Sequence, residues 1–149
     1  MNLADKNIQP PARLQFLTGW QTMQHGSIKQ GGLLIIEYDP WRLPNLRRQL
    51  REAVFWHIEA FVRFHPLGYH PQLYTGSVLE GIPWEGRGPV TSHRPKPFEV
   101  VVPKDSTQVE LWFRSWLEAT EARGYYVEVW DSRYGQNYWF DVVSGRPSE

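Results

Sequence analysis

Trp56, Ile58, Ala60, Val62 and Phe64 occupy alternate positions, with His57, Glu59, Phe61 and Arg63 between them. A period of two puts the first set on one face of an extended strand and the second on the other. Just upstream the period changes. Leu46, Leu50 and Val54 recur at a helical spacing among strong helix formers, which predicts a short helical connection over 46–54 leading into the strand. One continuous helix to Phe64 is the competing reading.

Elsewhere the apolar pattern is that of short strands. Leu14-Gln15-Phe16-Leu17 leads to Gly19-Trp20, and Leu33-Leu34-Ile35-Ile36-Glu37-Tyr38 is opened by Gly31-Gly32 and closed by Asp39-Pro40. Phe98-Glu99-Val100-Val101-Val102 stops at Pro103, and the run from Val109 to Trp116 is rich in strand formers and partly alternating. Short strands punctuated by Gly, Pro and Asp predict an all-β antiparallel sandwich or barrel.

Between His65 and Pro97 the chain is rich in proline and glycine, with 73–79 readable as one strand inside a long loop insertion of about 66–97. No linker divides the sequence. The expected layout is a flexible N-terminal segment over 1–13, a single β-sandwich domain over 14–143 and a flexible tail over 144–149.

The segment with the most chemistry is Trp130-Asp131-Ser132-Arg133-Tyr134-Gly135-Gln136-Asn137-Tyr138-Trp139-Phe140. It lies between the strand-like runs 125–129 and 140–143, so the expected unit is a hairpin. Asp131, Ser132 and Asn137 can bond nearby backbone, and Gly135 can supply a positive φ. Trp130, Tyr134, Tyr138 and Trp139 offer flat faces for stacking on the apolar side of a sugar ring. Neighbouring strand positions face opposite ways, so a site carried on the sheet uses one of Tyr138 and Trp139 and buries the other.

Composition narrows the function classes. The 149 residues carry 16 basic and 16 acidic side chains, which leaves no net basic footprint for nucleic acid. The basic residues Arg42, Arg47, Arg48 and Arg51 read as a solvated face beside Glu52. Cysteine is absent, excluding disulfides and thiolate chemistry. Residues 1–11 are polar, with no signal-like apolar run, and no stretch is long enough to span a bilayer. The expectation is a soluble cytoplasmic protein without a membrane partner. Aromatic residues are abundant, with eight Trp, seven Tyr and seven Phe, and most of them are expected to fill a core.

No catalytic pattern emerges. His65 and His70 flank a turn and could share a metal with Asp39 or His93, yet His25, His57, His65, His70 and His93 show no established ligand spacing. Glu37, Glu59, Glu110 and Glu128 read as solvent-face strand residues rather than a facing carboxylate pair. Neither a nucleophile elbow nor a glycine-rich phosphate loop occurs. No enzyme activity, cofactor or metal is expected.

The pattern Trp130-Asp131-x-x-x-Gly135-x-Asn137-Tyr138 resembles the signature near the end of family 21 starch-binding modules, which glycogen-targeting subunits of protein phosphatase 1 share. The chain is still more similar to an uncharacterised bacterial domain family allied to those modules. That likeness rests on the block from Tyr38 to Leu43, on Val109 to Phe113, and on Trp130 to Phe140. The resemblance implies an immunoglobulin-like sandwich enlarged by the proline-rich loop, in which rings and asparagines around the signature loop hold α-linked glucose. Trp130, Asn137 and Tyr138 match the signature, whereas Ser132 and Arg133 stand where it has asparagines.

The expected carbohydrate-binding residues are therefore Trp130, Asp131, Tyr134, Asn137 and Tyr138, on a noncatalytic module whose favoured ligand is an α-glucan polysaccharide or oligosaccharide. Tyr69, Tyr74 and Trp84 form a second candidate surface. The alternative is a scaffolding domain whose exposed aromatics dock a protein partner or a second copy of the chain.

Overall fold

The computed structural model describes residues 10–43, 53–69, 71–81, 93–119 and 126–145. Their strands are β1 (Ala12–Phe16), β2 (Thr22–His25), β3 (Ile28–Lys29), β4 (Leu33–Tyr38), β5 (Ala53–His65), β6 (Leu73–Gly81), β7 (His93–Pro95), β8 (Phe98–Val101), β9 (Gln108–Ala119), β10 (Tyr126–Asp131) and β11 (Tyr138–Val143). The helical turns among these residues are two single 3-10 turns, Thr18–Trp20 and Pro40–Arg42. The expected all-β sandwich is what forms. No helix among the described residues is long and apolar enough to cross a membrane.

One sheet has the order β2-β1-β4-β8 and the other β3-β11-β9-β5-β6-β7, with β10 also on β9. Pairing is antiparallel except between β1 and β4 and between β11 and β3. The alternating segment forms the centre of the large sheet: β5 pairs with β9 from Ala53↔Ala119 to His65↔Gln108. The continuous-helix alternative is thereby excluded. Of the expected connection over 46–54, residues 53 and 54 belong to β5, and the remainder lies outside the described residues.

The core lies where the two sheets face. Leu14 and Phe16 of β1, Leu34, Ile36 and Tyr38 of β4, and Val100 of β8 meet Trp56, Ile58, Ala60, Val62 and Phe64 of β5 and Val109, Leu111, Phe113 and Leu117 of β9. Gly76 of β6 allows the closest approach across this interface, since a Cβ at that position would overlap the Phe98 ring. Phe16 is the hub of the aromatic part, with Phe113 4.6 Å and Tyr138 5.1 Å from it between ring centroids. Such edge-on pairs add about 0.5–1.5 kcal/mol each to the gain from burial.

The expected terminal hairpin is corrected. β10 and β11 do not pair with each other; both run antiparallel to β9 and share its free edge. Asp131 lies opposite Phe113 and Tyr138 opposite Leu111, so residues 132–137 leave the sheet between two collinear half-strands and face Trp112 alone. The excursion closes through Asn137 N–H to Ser132 O at 2.7 Å and Gly135 N–H to Ser132 Oγ at 3.1 Å. Positive φ at Arg133 (49°), Tyr134 (58°), Gly135 (84°) and Asn137 (61°) folds it back so tightly. Three of these residues are not glycine, and such backbone persists only where surrounding bonds enforce it.

Candidate functional site

The local sequence Asp39-Pro40-Trp41-Arg42 builds one wall of the site. Pro40 opens the 3-10 turn with its φ already set, and Asp39 Oδ1 accepts from Trp41 N–H at 2.9 Å. That cap delivers Arg42 to the end of the sandwich, where the side chain is buried. Its Nε donates to Asp131 Oδ2 at 2.8 Å and its Nη2 to the Tyr138 hydroxyl at 3.0 Å. Its Nη1 donates to Leu17 O at 2.9 Å and to Gln21 O at 2.6 Å, clamping both ends of the Thr18–Trp20 turn. The expected solvated cluster at Arg42 is thus corrected, while Arg47, Arg48 and Arg51 lie outside the described residues.

Asp131 is the counterpart. Buried at the end of β10, it accepts from Tyr38 Oη at 2.8 Å and Tyr138 Oη at 2.5 Å as well as from Arg42. The bonds from Tyr38 and Arg42 span about 90 residues and the one from Tyr138 closes the excursion between β10 and β11, so the network locks β4, β10, β11 and the two 3-10 turns together. Burial, followed by the charge of Asp131, pushes the Tyr38 hydroxyl well above the ordinary tyrosine range. Burial and the hydrogen bond to Asp131 raise Tyr138 in the same way. Burial works against the Arg42 charge, but its bond to Tyr138 and the Asp131 carboxylate outweigh it and raise its pKa. Both phenols therefore stay protonated donors.

Over this network opens a cleft of about 550 Å³, lined by Trp20, Arg42, Trp130, Asp131, Ser132, Arg133, Tyr134 and Tyr138. Its volume falls within the range of small-molecule sites, about 300–1,000 Å³. Trp20 is 57% exposed, Trp130 50% and Tyr134 fully, so three rings reach solvent around a floor that the Arg42–Asp131 network fixes. Trp20 itself has a positive φ of 60° and stacks over the Arg42 guanidinium at 5.3 Å.

The five expected site residues separate. Trp130, Asp131, Tyr134 and Tyr138 line the cleft, but Asp131 has its carboxylate committed to the floor and Tyr138 packs its ring on Phe16. Asn137 is not a lining residue: its Nδ2 donates to Glu110 Oε2 at 2.7 Å on the outer face of the large sheet. Tyr138 and Trp139 do face opposite ways, the first toward the core and the second outward at 42% exposure. Trp20 and Arg42 escaped the sequence reading. Arg42 lay within a block already singled out, but its partner is far along the chain, and only the buried Asp131 reveals why a cation is needed there.

A second group of rings among the described residues lies on the outer face of the large sheet and reaches Trp130 at the edge of the cleft. Phe61 and Trp112 stack at 5.5 Å with their planes 4° apart, Trp130 lies 5.8 Å from Phe61, and Arg63 and Arg114 cover Trp112 and Trp116. Glu110 is corrected from a solvated residue to a buried one, accepting from Arg63 and His65 at 2.9 Å besides Asn137. Burial opposes its charge, but the bonds from Arg63, Asn137 and His65 outweigh that and lower its pKa. On the second candidate surface Tyr69 is fully exposed, Tyr74 packs edge-on against Phe64, and Trp84 lies outside the described residues.

Chemically the cleft offers rings, a hydroxyl and guanidinium groups. Among the described residues its lining contains a single carboxylate, Asp131, whereas glycoside hydrolysis needs two facing each other. No group of three or more His, Asp or Glu able to hold a metal ion occurs among the described residues. No curated protein and no solved structure matches the chain. A family profile spans residues 4–143, and the chain therefore belongs to the family of unknown function DUF6209.

Proposed function

We propose that the protein is a noncatalytic carbohydrate-binding module whose ligand lies in the cleft between Trp20, Trp130 and Tyr134. One observation carries this reading: three exposed rings stand around a floor held in place by the Arg42–Asp131–Tyr138 bonds, with the Ser132 hydroxyl and the Arg133 guanidinium also in the lining. A pyranose has an apolar C–H face for such rings and hydroxyls for the groups between them. A prefixed site spares the ligand the cost of ordering the protein. The resemblance of the Trp130–Tyr138 segment to starch-binding modules favours an α-glucan of glycogen or starch type. Affinity electrophoresis in glycogen gels tests the α-glucan assignment: retardation of the intact chain that is lost on Trp20→Ala supports it, and free migration in every glycogen gel overturns that assignment.

A second reading draws on the outer face, where Trp130 is exposed beside the Phe61–Trp112 stack and Trp139 is exposed against His65. Such a patch suits a protein partner or a second copy of the chain. Light scattering across a concentration series, with Trp139→Ala as comparison, measures whether the chain self-associates through that face.

A further inference from the structure

The charge balance of the cleft carries the reading of its ligand one step further. Its charged lining residues are Arg42, Asp131 and Arg133. Arg42 and Asp131 neutralise each other as a buried pair at 2.8 Å. Arg133 is exposed, has no ion pair among the described residues, and is held by the tight excursion at φ 49°. The lining thus presents one uncompensated guanidinium beside two solvent-facing rings, Trp130 and Tyr134, with the Ser132 hydroxyl next to it in sequence.

We infer that the cleft selects a sugar bearing an anionic substituent, a carboxylate or a phosphate ester, which Arg133 pairs while Trp20, Trp130 or Tyr134 stacks on the ring. This rests on the reading of the cleft as a sugar site. A guanidinium presents a planar fork of donors that matches both anions, and it makes stronger bonds to them than to a neutral hydroxyl. The closed excursion fixes the Arg133 backbone, so only its side chain has to be ordered when the pair forms.

Calorimetric titration of the intact chain at low salt tests the inference with three probes: maltoheptaose, a galacturonic acid oligomer and glucose 6-phosphate. The expected result is an anionic probe bound about tenfold more tightly than maltoheptaose per site, an advantage that shrinks as salt screens the pair. Arg133→Gln brings the ratio of anionic to neutral affinity to about one, and Arg133→Glu inverts it. Preference for the uronate alone or for the phosphate alone supports the inference and identifies the source of the anion. Equal affinities for neutral and charged probes, or a ratio untouched by Arg133→Gln, overturn it while leaving the sugar site standing. Absence of binding by all three overturns the sugar site as well. Since Arg133 is exposed and has no ion pair among the described residues, both variants are expected to retain the fold, which circular dichroism checks.

Discussion

Arg42 Nε and Asp131 Oδ2 lie 2.8 Å apart with both side chains almost wholly shielded from solvent. They join the 3-10 turn after β4 to the point where β10 leaves the large sheet. Removing one member leaves the other charge buried without a partner. Asp131→Asn and Arg42→Met are each expected to lower unfolding stability by about 3–5 kcal/mol. Denaturant unfolding measures this, and a loss below about 1 kcal/mol would show that water reaches the pair.

Tyr138 bridges the same pair, donating to Asp131 Oδ1 at 2.5 Å and accepting from Arg42 Nη2 at 3.0 Å. Tyr138→Phe keeps the ring on Phe16 but strands polar atoms of both partners, at an expected cost of about 1–3 kcal/mol. An ultraviolet titration of the wild type should show Tyr38 and Tyr138 ionising above the ordinary tyrosine value of 10.0, because burial and Asp131 disfavour their phenolates. Tyr138→Phe removes one of these two late-titrating groups.

Acid stability has two sources of opposite depth. Burial lowers the pKa of His57, outweighing the opposing charge of Glu59 with a smaller contribution from Arg114, so folding loses free energy as pH falls below the ordinary histidine value of 6.5. Glu110 is lowered by its bonds from Arg63, Asn137 and His65, so the stability it contributes is complete above the ordinary value of 4.5 and is lost as pH drops through its depressed folded value. Glu110→Gln should abolish the more acidic part of the decline and keep the part starting near 6.5. Melting temperatures recorded across the acid range distinguish the two; an unchanged acid profile in Glu110→Gln contradicts the assignment.

Gly76 faces the Phe98 ring with no room for a Cβ. Gly76→Ala forces the sheets apart at β6 and β8, an overpacking cost of about 1–3 kcal/mol. An alanine variant as stable as the wild type in thermal unfolding would mean that β8 shifts freely.

The strands were legible because burial imposes a period of two: Trp56, Ile58, Ala60, Val62 and Phe64 are all buried, as their alternation requires. What local pattern cannot show is which edge a strand joins. Val129 and Phe140 belong to strand-like runs around turn-forming residues in a hairpin and in an interrupted edge strand alike, and β9 decides between them. The brief pairings of β2, β3 and β7 depend on neighbours rather than on their own residues. The site was half visible for the same reason. Trp130 and Tyr134 declared themselves as rings near a turn, whereas the buried role of Arg42 and the turn of Asn137 toward Glu110 depend on partners distant in sequence.

The role we propose for the Trp20–Trp130–Tyr134 cleft is to bind a sugar. Its most direct test is tryptophan fluorescence titrated with sugar oligomers, neutral and acidic, in the intact chain and in Trp20→Ala and Tyr134→Ala. A saturable change is expected with Kd on the order of millimolar or tighter for at least one oligomer, weakened about tenfold or more by each substitution. No saturable change with any oligomer, or affinities untouched in both variants, would contradict it.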